Sequence, residues 1–120
     1  MYRKGDILWV AKELRNPDQL KHAAVIWQDE YLGTEDFHGI MLTTAGPEKG
    51  YDNIAMSSEH FEDNHQFKWK NSHFVNQLFV KCRTWGEFFH VGRLTVDGIS
   101  FIEDNLTNLD PMEFRHYREM

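Results

Sequence analysis

Between residues 22 and 44 the chain carries two short apolar runs joined by a polar connection, and this pattern narrows the folds open to it. The first run reads His22-Ala23-Ala24-Val25-Ile26-Trp27 and the second Gly39-Ile40-Met41-Leu42-Thr43-Thr44. Both are short, rich in Val and Ile, and bounded by Asp, Glu and Gly, which favours buried strands over helices. The spacing predicts two strands of one sheet, over 22–27 and 38–43. A histidine stands at the start of the first, and a pair of hydroxyls ends the second.

The rest of the first half repeats the theme. Gly5-Asp6 is a turn signal ahead of Ile7-Leu8-Trp9-Val10-Ala11, which reads as a strand with Ile7, Trp9 and Ala11 on one face and Leu8 and Val10 on the other. Residues 12–21 are polar and contain Asn16-Pro17-Asp18, an exposed turn. Gly46-Pro47 and Asp52-Asn53 punctuate a second loop, after which 53–56 reads as a short strand and 58–64 as a turn or a single helical turn. Gln66-Phe67-Lys68-Trp69-Lys70 alternates aromatic and charged side chains, the period of a half-buried strand. Asn71-Ser72 then reads as a hairpin turn and 74–83 as the returning strand, with Leu78, Val80 and Cys82 on one face and Phe79, Lys81 and Arg83 on the other.

A helix follows Gly92-Arg93-Leu94-Thr95. Thr95 or Asp97 can cap it, and Ile99, Ile102, Leu106 and Leu109 recur at helical spacing. Gly98 near its start costs about 1 kcal/mol relative to Ala in an ordinary helix. Asp110-Pro111-Met112-Glu113 has the form of a second helix start, with a cap and then proline at the first helical position. Several short strands followed by a helix, with no helices between the early strands, disfavour a parallel sheet. The expected fold is mainly β: a small SH3-like antiparallel β-barrel with a C-terminal helix, in one domain spanning residues 1–120.

The formal net charge of −6 argues against a general nucleic-acid binder, because phosphate binding draws on clustered Lys and Arg. A local basic groove on an acidic body is compatible with it. Lys68, Lys70, Lys81, Arg83 and Arg93 fall in one region and would form such a groove, or simply a solvated sheet face. The single cysteine, Cys82, leaves no partner for an intramolecular disulfide. Arg3, Lys4 and Asp6 interrupt any secretory apolar segment after Met1, and no apolar run approaches the ~20 residues a membrane helix needs. The expectation is a cytoplasmic protein without membrane association.

Four segments, in order, resemble the PemK/MazF toxin family. Gly5-Asp6-Ile7-Leu8-Trp9-Val10 is similar to that family's opening strand, and His22-Ala23-Ala24-Val25-Ile26 to its "RPalVi" strand. Ile40-Met41-Leu42-Thr43-Thr44 resembles its "v-x-iTs" strand, and Gly92-Arg93-Leu94-Thr95-Val96-Asp97-Gly98-Ile99 the lead-in to its last helix. Each match is short, and together they spread over most of the chain. The resemblance implies an SH3-like barrel that dimerises and cleaves single-stranded RNA without a metal or other cofactor, most members being toxins neutralised by an antitoxin peptide. In that chemistry a ribose 2′-OH attacks the adjacent phosphate, which requires a base, an acid for the leaving 5′ oxygen, and donors to the phosphate.

Carried over by position, His22 stands where the family has its catalytic Arg, Ala23 where it has Pro, and Thr43 where it has its catalytic Thr or Ser. Arg supplies a permanent charge and a bidentate fork, whereas His supplies a proton donor and acceptor. His22 is therefore the candidate acid/base and Thr43 the candidate phosphate donor, with Lys21, Lys68, Lys70 and Lys81 as RNA-steering cations. Lys21 adds charge beside His22 but, in an extended chain, on the opposite face. The plain alternatives are a strand-capping histidine and a threonine that only packs.

Other residues carry weaker signals. His60 and His65 beside Glu59, Glu62 and Asp63 suggest a carboxylate–imidazole metal site, though without a tight ligand spacing. Trp27, Trp69 and Trp85 are candidates for stacking on bases, although in a small barrel such residues are more often core or interface. The expected function is a metal-independent endoribonuclease. Its rival is a non-catalytic SH3-like barrel that binds a peptide or nucleic acid through the same cleft.

Overall fold

In the computed structural model, residues 3–10, 23–28, 37–44, 46, 52–63, 72–81 and 88–113 are described, the side chains of Val10, Gln28, Phe37, Lys81 and Phe88 excepted. The apolar runs form strands: β1 (Asp6–Val10), β2 (Ala24–Gln28), β3 (Phe37–Thr43), β4 (Asn53–Ala55), β5 (His73–Lys81), β6 (Phe88–Arg93) and β7 (Met112–Glu113). A 3-10 turn, Ser58–His60, follows β4, and the helix α1 (Val96–Asn105) follows β6. The seven strands form one sheet in the order β4-β5-β3-β2-β1-β6, with β7 paired to β5. The pairings are antiparallel except for β5 with β7. The fold is mainly β, and among the described residues one α-helix, α1, follows the strands up to β6.

The central strands read as near-continuous apolar runs because both of their faces are buried. Ile7, Val25, Ile40, Leu42, Phe74 and Leu78 turn to one face, where Ile102 and Leu106 of α1 and its following residue pack on them. Leu8, Ala24, Ile26, Met41 and Phe79 alternate with these and are also buried. The predicted strands on 7–11, 22–27, 38–43, 53–56 and 74–83 are thus present over their described residues, residues 11, 22, 82 and 83 lying outside these, and the helical turn expected near 58–64 is the 3-10 turn. The strand expected over 66–70 lies outside the described residues.

Two expectations need correction, and one strand has no counterpart among them. The sheet does not close into a barrel: among the described residues its two edges meet only at a bridge between Phe61 and Leu94, beside a Glu62 N–H that donates to the Arg93 carbonyl at 2.9 Å. Residues 88–93 form a strand on which the sequence pattern is silent, since Phe88-Phe89-His90-Val91 lacks the alternation that marks an edge strand. Asp110-Pro111 does not start a second helix. It leads instead into β7, which runs parallel to β5 with Phe79 opposite Met112.

The reason for this last outcome lies in β5. Between Ile40↔Leu78 and Leu42↔Phe74 the β3–β5 register slips, leaving two extra residues on β5. There Asn76 and Gln77 reach the segment after α1. Asn76 Nδ2 donates to Asp52 Oδ2 at 2.7 Å and to Thr107 Oγ1 at 2.8 Å, and its Oδ1 accepts from Thr107 N at 2.8 Å. Asn108 Nδ2 donates to the Asn76 carbonyl, the Leu78 N–H to the Asn108 carbonyl, and Gln77 Nε2 to the Asp110 carbonyl. Residues 107–110 are held along β5, and a helix beginning at Asp110 would compete with Gln77 for the Asp110 carbonyl and give up the pairing of Met112 and Glu113 with β5.

The N-terminus of α1 is fixed as predicted. Thr95 caps it, its Oγ1 accepting from Gly98 N at 3.1 Å. Gly98 has a tertiary reason as well: a Cβ there would collide with the carbonyl oxygen of His60, with the His60 carbonyl carbon 3.0 Å away. Ile99, Ile102 and Leu106 pack on the core, whereas Leu109, beyond the end of the helix, is exposed.

Candidate functional site

Thr43 is the candidate residue whose side chain the structure places. It ends β3 and is buried, one residue past the core-facing Leu42 and so on the opposite face of the sheet. Its partner across β5 is His73, and the partner of His73 on the far side is Ala55 of β4. Directly opposed residues of antiparallel strands hold their Cβ atoms roughly 4.5–5.5 Å apart on one face. The row Thr43, His73, Ala55 therefore presents a hydroxyl, an imidazole and a methyl side by side. Ala55 is exposed and His73 half-buried. The Nδ1 of His73 is buried and makes no hydrogen bond among the described residues.

The backbone next to Thr43 meets the start of β2. Ala24 lies opposite Met41, and Leu42 N–H donates to the Ala23 carbonyl at 2.9 Å. Thr43 follows Leu42 in the chain and His22 precedes Ala23. His22 itself, with Lys21, Lys68 and Lys70, lies outside the described residues. Lys81 closes β5 opposite Phe37, at the other end of the β3–β5 ladder from Thr43; its side chain is not among those described. Arg83, Cys82, His65, Trp69 and Trp85 also fall outside.

A charged cluster stands where β1 meets β6. Asp6, 5 % exposed, lies opposite Arg93 in the ladder. Its Oδ1 accepts from Arg93 Nη1 at 2.8 Å and its Oδ2 from the Arg3 N–H at 2.7 Å. His90 Nε2 is 3.3 Å from the same Oδ1. Burial pushes the Asp6 carboxyl up, but the Arg3 N–H, the Arg93 guanidinium and the charges of His90 and Arg93 outweigh it and hold the carboxyl below its ordinary value. Arg93 also donates to the Lys4 carbonyl at 3.0 Å and lies 3.6 Å from Glu62 Oε2. Arg93 is thus committed to two carboxylates and a carbonyl, which removes it from the expected basic groove.

Two further candidates have structural employment. His60 is buried; its Nδ1 accepts from the Ser57 N–H at 3.0 Å, and its ring stacks on Phe101 with centroids 4.4 Å apart. Among the described residues no group of three His, Cys, Asp or Glu side chains lies placed to hold a metal ion. Trp27 is buried in the core with the Lys4 ammonium 4.2 Å from its ring centroid, so it offers no face to a base.

His73 is the residue that sequence reasoning passed over. It follows the expected turn Asn71-Ser72 and precedes the apolar run of β5, so it reads as a strand-end polar residue. Its significance comes from register, which pairs it with a threonine thirty positions earlier in the chain. No signal local to residue 73 carries that information. Nor does any described helix have the length and apolarity to cross a membrane. Comparison with protein-family models, with curated proteins and with solved structures returned no match.

Proposed function

We propose that this chain is a PemK/MazF-like endoribonuclease, cleaving single-stranded RNA by attack of a ribose 2′-OH on the adjacent phosphate. Thr43 donates a hydrogen bond to a phosphate oxygen, and His22 exchanges a proton with the reacting groups. The observation that carries the reading is the Leu42 N to Ala23 O hydrogen bond. It joins the two strands at the residues next in sequence to Thr43 and His22. A strand ladder is a rigid mount for catalytic groups, and such chemistry depends on fixed positions. Three of the four segments that carry the resemblance lie on β1, β2 and β3, which are neighbours in the sheet, and the fourth leads into α1.

The same reading makes the protein a cytoplasmic homodimer, with an antitoxin peptide as its natural inhibitor and Lys21, Lys68, Lys70 and Lys81 steering RNA. The test is incubation of purified protein with a long single-stranded RNA at low salt. Expected products end in a 2′,3′-cyclic phosphate and a 5′-hydroxyl, and His22→Ala abolishes their formation. Equal survival of the RNA with wild type and His22→Ala at high protein concentration sinks the proposal.

A second reading is a non-catalytic domain that binds a peptide or nucleic acid over the same strands. The commitment of Arg93 to Asp6 and Glu62, in a chain of net charge −6, favours it. Under that reading RNA stays intact, and any RNA bound is released by modest salt.

A further inference from the structure

We infer that His73 is a second proton-transfer group of this site, acting beside Thr43; the inference rests on the endoribonuclease reading above. Three observations carry it. The β3–β5 register sets His73 directly across from Thr43, so the imidazole and the hydroxyl share one face at adjacent-strand spacing. The ring's Nδ1 is buried and makes no hydrogen bond among the described residues. A buried polar nitrogen without a partner costs free energy, roughly 1–3 kcal/mol, and in a native fold such a group calls for an explanation such as a catalytic role. Finally, the β4 side of the ring is flanked by the exposed Ala55, whose methyl neither occupies the imidazole nor shuts off the row. His60, by contrast, has its Nδ1 satisfied and its ring stacked on Phe101.

A scissile phosphodiester lying over the Thr43–His73–Ala55 row would have its non-bridging oxygen on the Thr43 hydroxyl and its bridging oxygens near the imidazole. The step balances with two imidazoles. The 2′ oxygen forms a bond to phosphorus and gives its proton to one neutral ring. The phosphorus–O5′ bond breaks with its electron pair going to O5′, which takes a proton from the other, protonated ring. The products are a 2′,3′-cyclic phosphate and a 5′-hydroxyl, and no other reactant is consumed. His22 and His73 divide these two roles, which replaces the missing permanent charge of an arginine with a pair of titrating groups.

The test compares wild type, His73→Asn and His22→Asn on one fluorogenic single-stranded oligonucleotide between pH 5 and 9, with thermal melting to confirm that each variant is folded. Wild type is expected to give a bell-shaped kcat profile, and His73→Asn to lower kcat by about 10²–10⁴-fold with little change in KM and to lose one limb of the bell. Wild-type cleavage with His73→Asn equally active and both limbs intact overturns the inference and leaves the endoribonuclease reading standing. No cleavage by wild type overturns both. A measurement on unmutated protein guards against a variant that fails to fold: the His73 ring signals in a ¹H–¹⁵N spectrum are followed while the same oligonucleotide, made uncleavable by a single 2′-deoxy substitution, is added. A shift of the His73 ring supports the inference; an unmoved ring while the Thr43 amide shifts defeats it.

Discussion

Replacing Gly98 by alanine reverses the usual rule for glycine in a helix. In an isolated helix the change would stabilise by about 1 kcal/mol. Here the added methyl meets the His60 carbonyl oxygen, with the carbonyl carbon at 3.0 Å and the His60 Cα at 3.1 Å. These are backbone atoms and cannot rotate aside. The same carbonyl accepts from Thr95 N at 3.0 Å, and Thr95 Oγ1 donates to the Glu59 carbonyl at 2.8 Å. Pushing the 3-10 turn outward therefore strains the contacts that dock it on α1. Overpacking costs about 1–3 kcal/mol and a weakened hydrogen bond about 1 kcal/mol. Less the propensity gain, the net is a destabilisation of roughly 2 kcal/mol. For a chain of this size that lowers Tm by about 8 °C. The assay is thermal unfolding followed by circular dichroism, with Ser100→Ala, on the exposed side of the same helix, as the control that should hold or slightly raise Tm. A Gly98→Ala protein that melts at or above wild type refutes the argument that the His60 carbonyl requires glycine.

Other consequences are open to measurement. Asp6→Asn removes the buried carboxylate that holds Arg93 and the Arg3 N–H; a loss of about 2–3 kcal/mol is expected in urea unfolding, since among the described residues Arg93 then keeps Glu62 and the Lys4 carbonyl. Because the folded-state pKa of Asp6 is depressed, its contribution is fully present above the ordinary carboxylate value and is lost as pH falls through the lower folded value. Wild type should therefore lose more stability than Asp6→Asn on acidification below about pH 4. Asn76→Ala deletes three side-chain hydrogen bonds at the β5 irregularity, which predicts a cost of about 2–4 kcal/mol and faster amide exchange at Thr107 and Leu78. Thr43→Val keeps the β-branched shape and removes the hydroxyl; RNA cleavage should fall by about 10²-fold or more with Tm within a few degrees of wild type, and unchanged cleavage would remove Thr43 from the site.

Much of the fold was legible in the residues because it follows from local pattern. The short apolar runs of β1, β2, β3 and β5 were visible as strands, and the spacing of Ile99, Ile102 and Leu106 with the Thr95 cap as a helix. The failures share a cause. Phe88-Phe89-His90-Val91 has no alternation, so β6 exists through pairing with β1 rather than through its own period. Asp110-Pro111 carries a sound helix-start signal, overridden because Asn76 and Gln77 hold residues 107–110 along β5. Gly98 looked like a cost and is a requirement of close approach.

The candidate site divides in the same way. Thr43 and His22 became candidates through the family resemblance of their two strand segments, because a motif is a property of neighbours in sequence. They could not pair Thr43 with His73, set Arg93 against Asp6 from 87 positions away, or bury Trp27 under Lys4. Register and long-range ion pairs are decided when strands meet, and the free energy that selects them comes from packing and hydrogen bonding between segments that carry no mark of one another. The sequence by itself therefore determined that this chain forms short buried strands and the helix capped by Thr95. The tertiary structure decided which side chains stand together on them, since sheet order and register are settled only when the whole core is assembled.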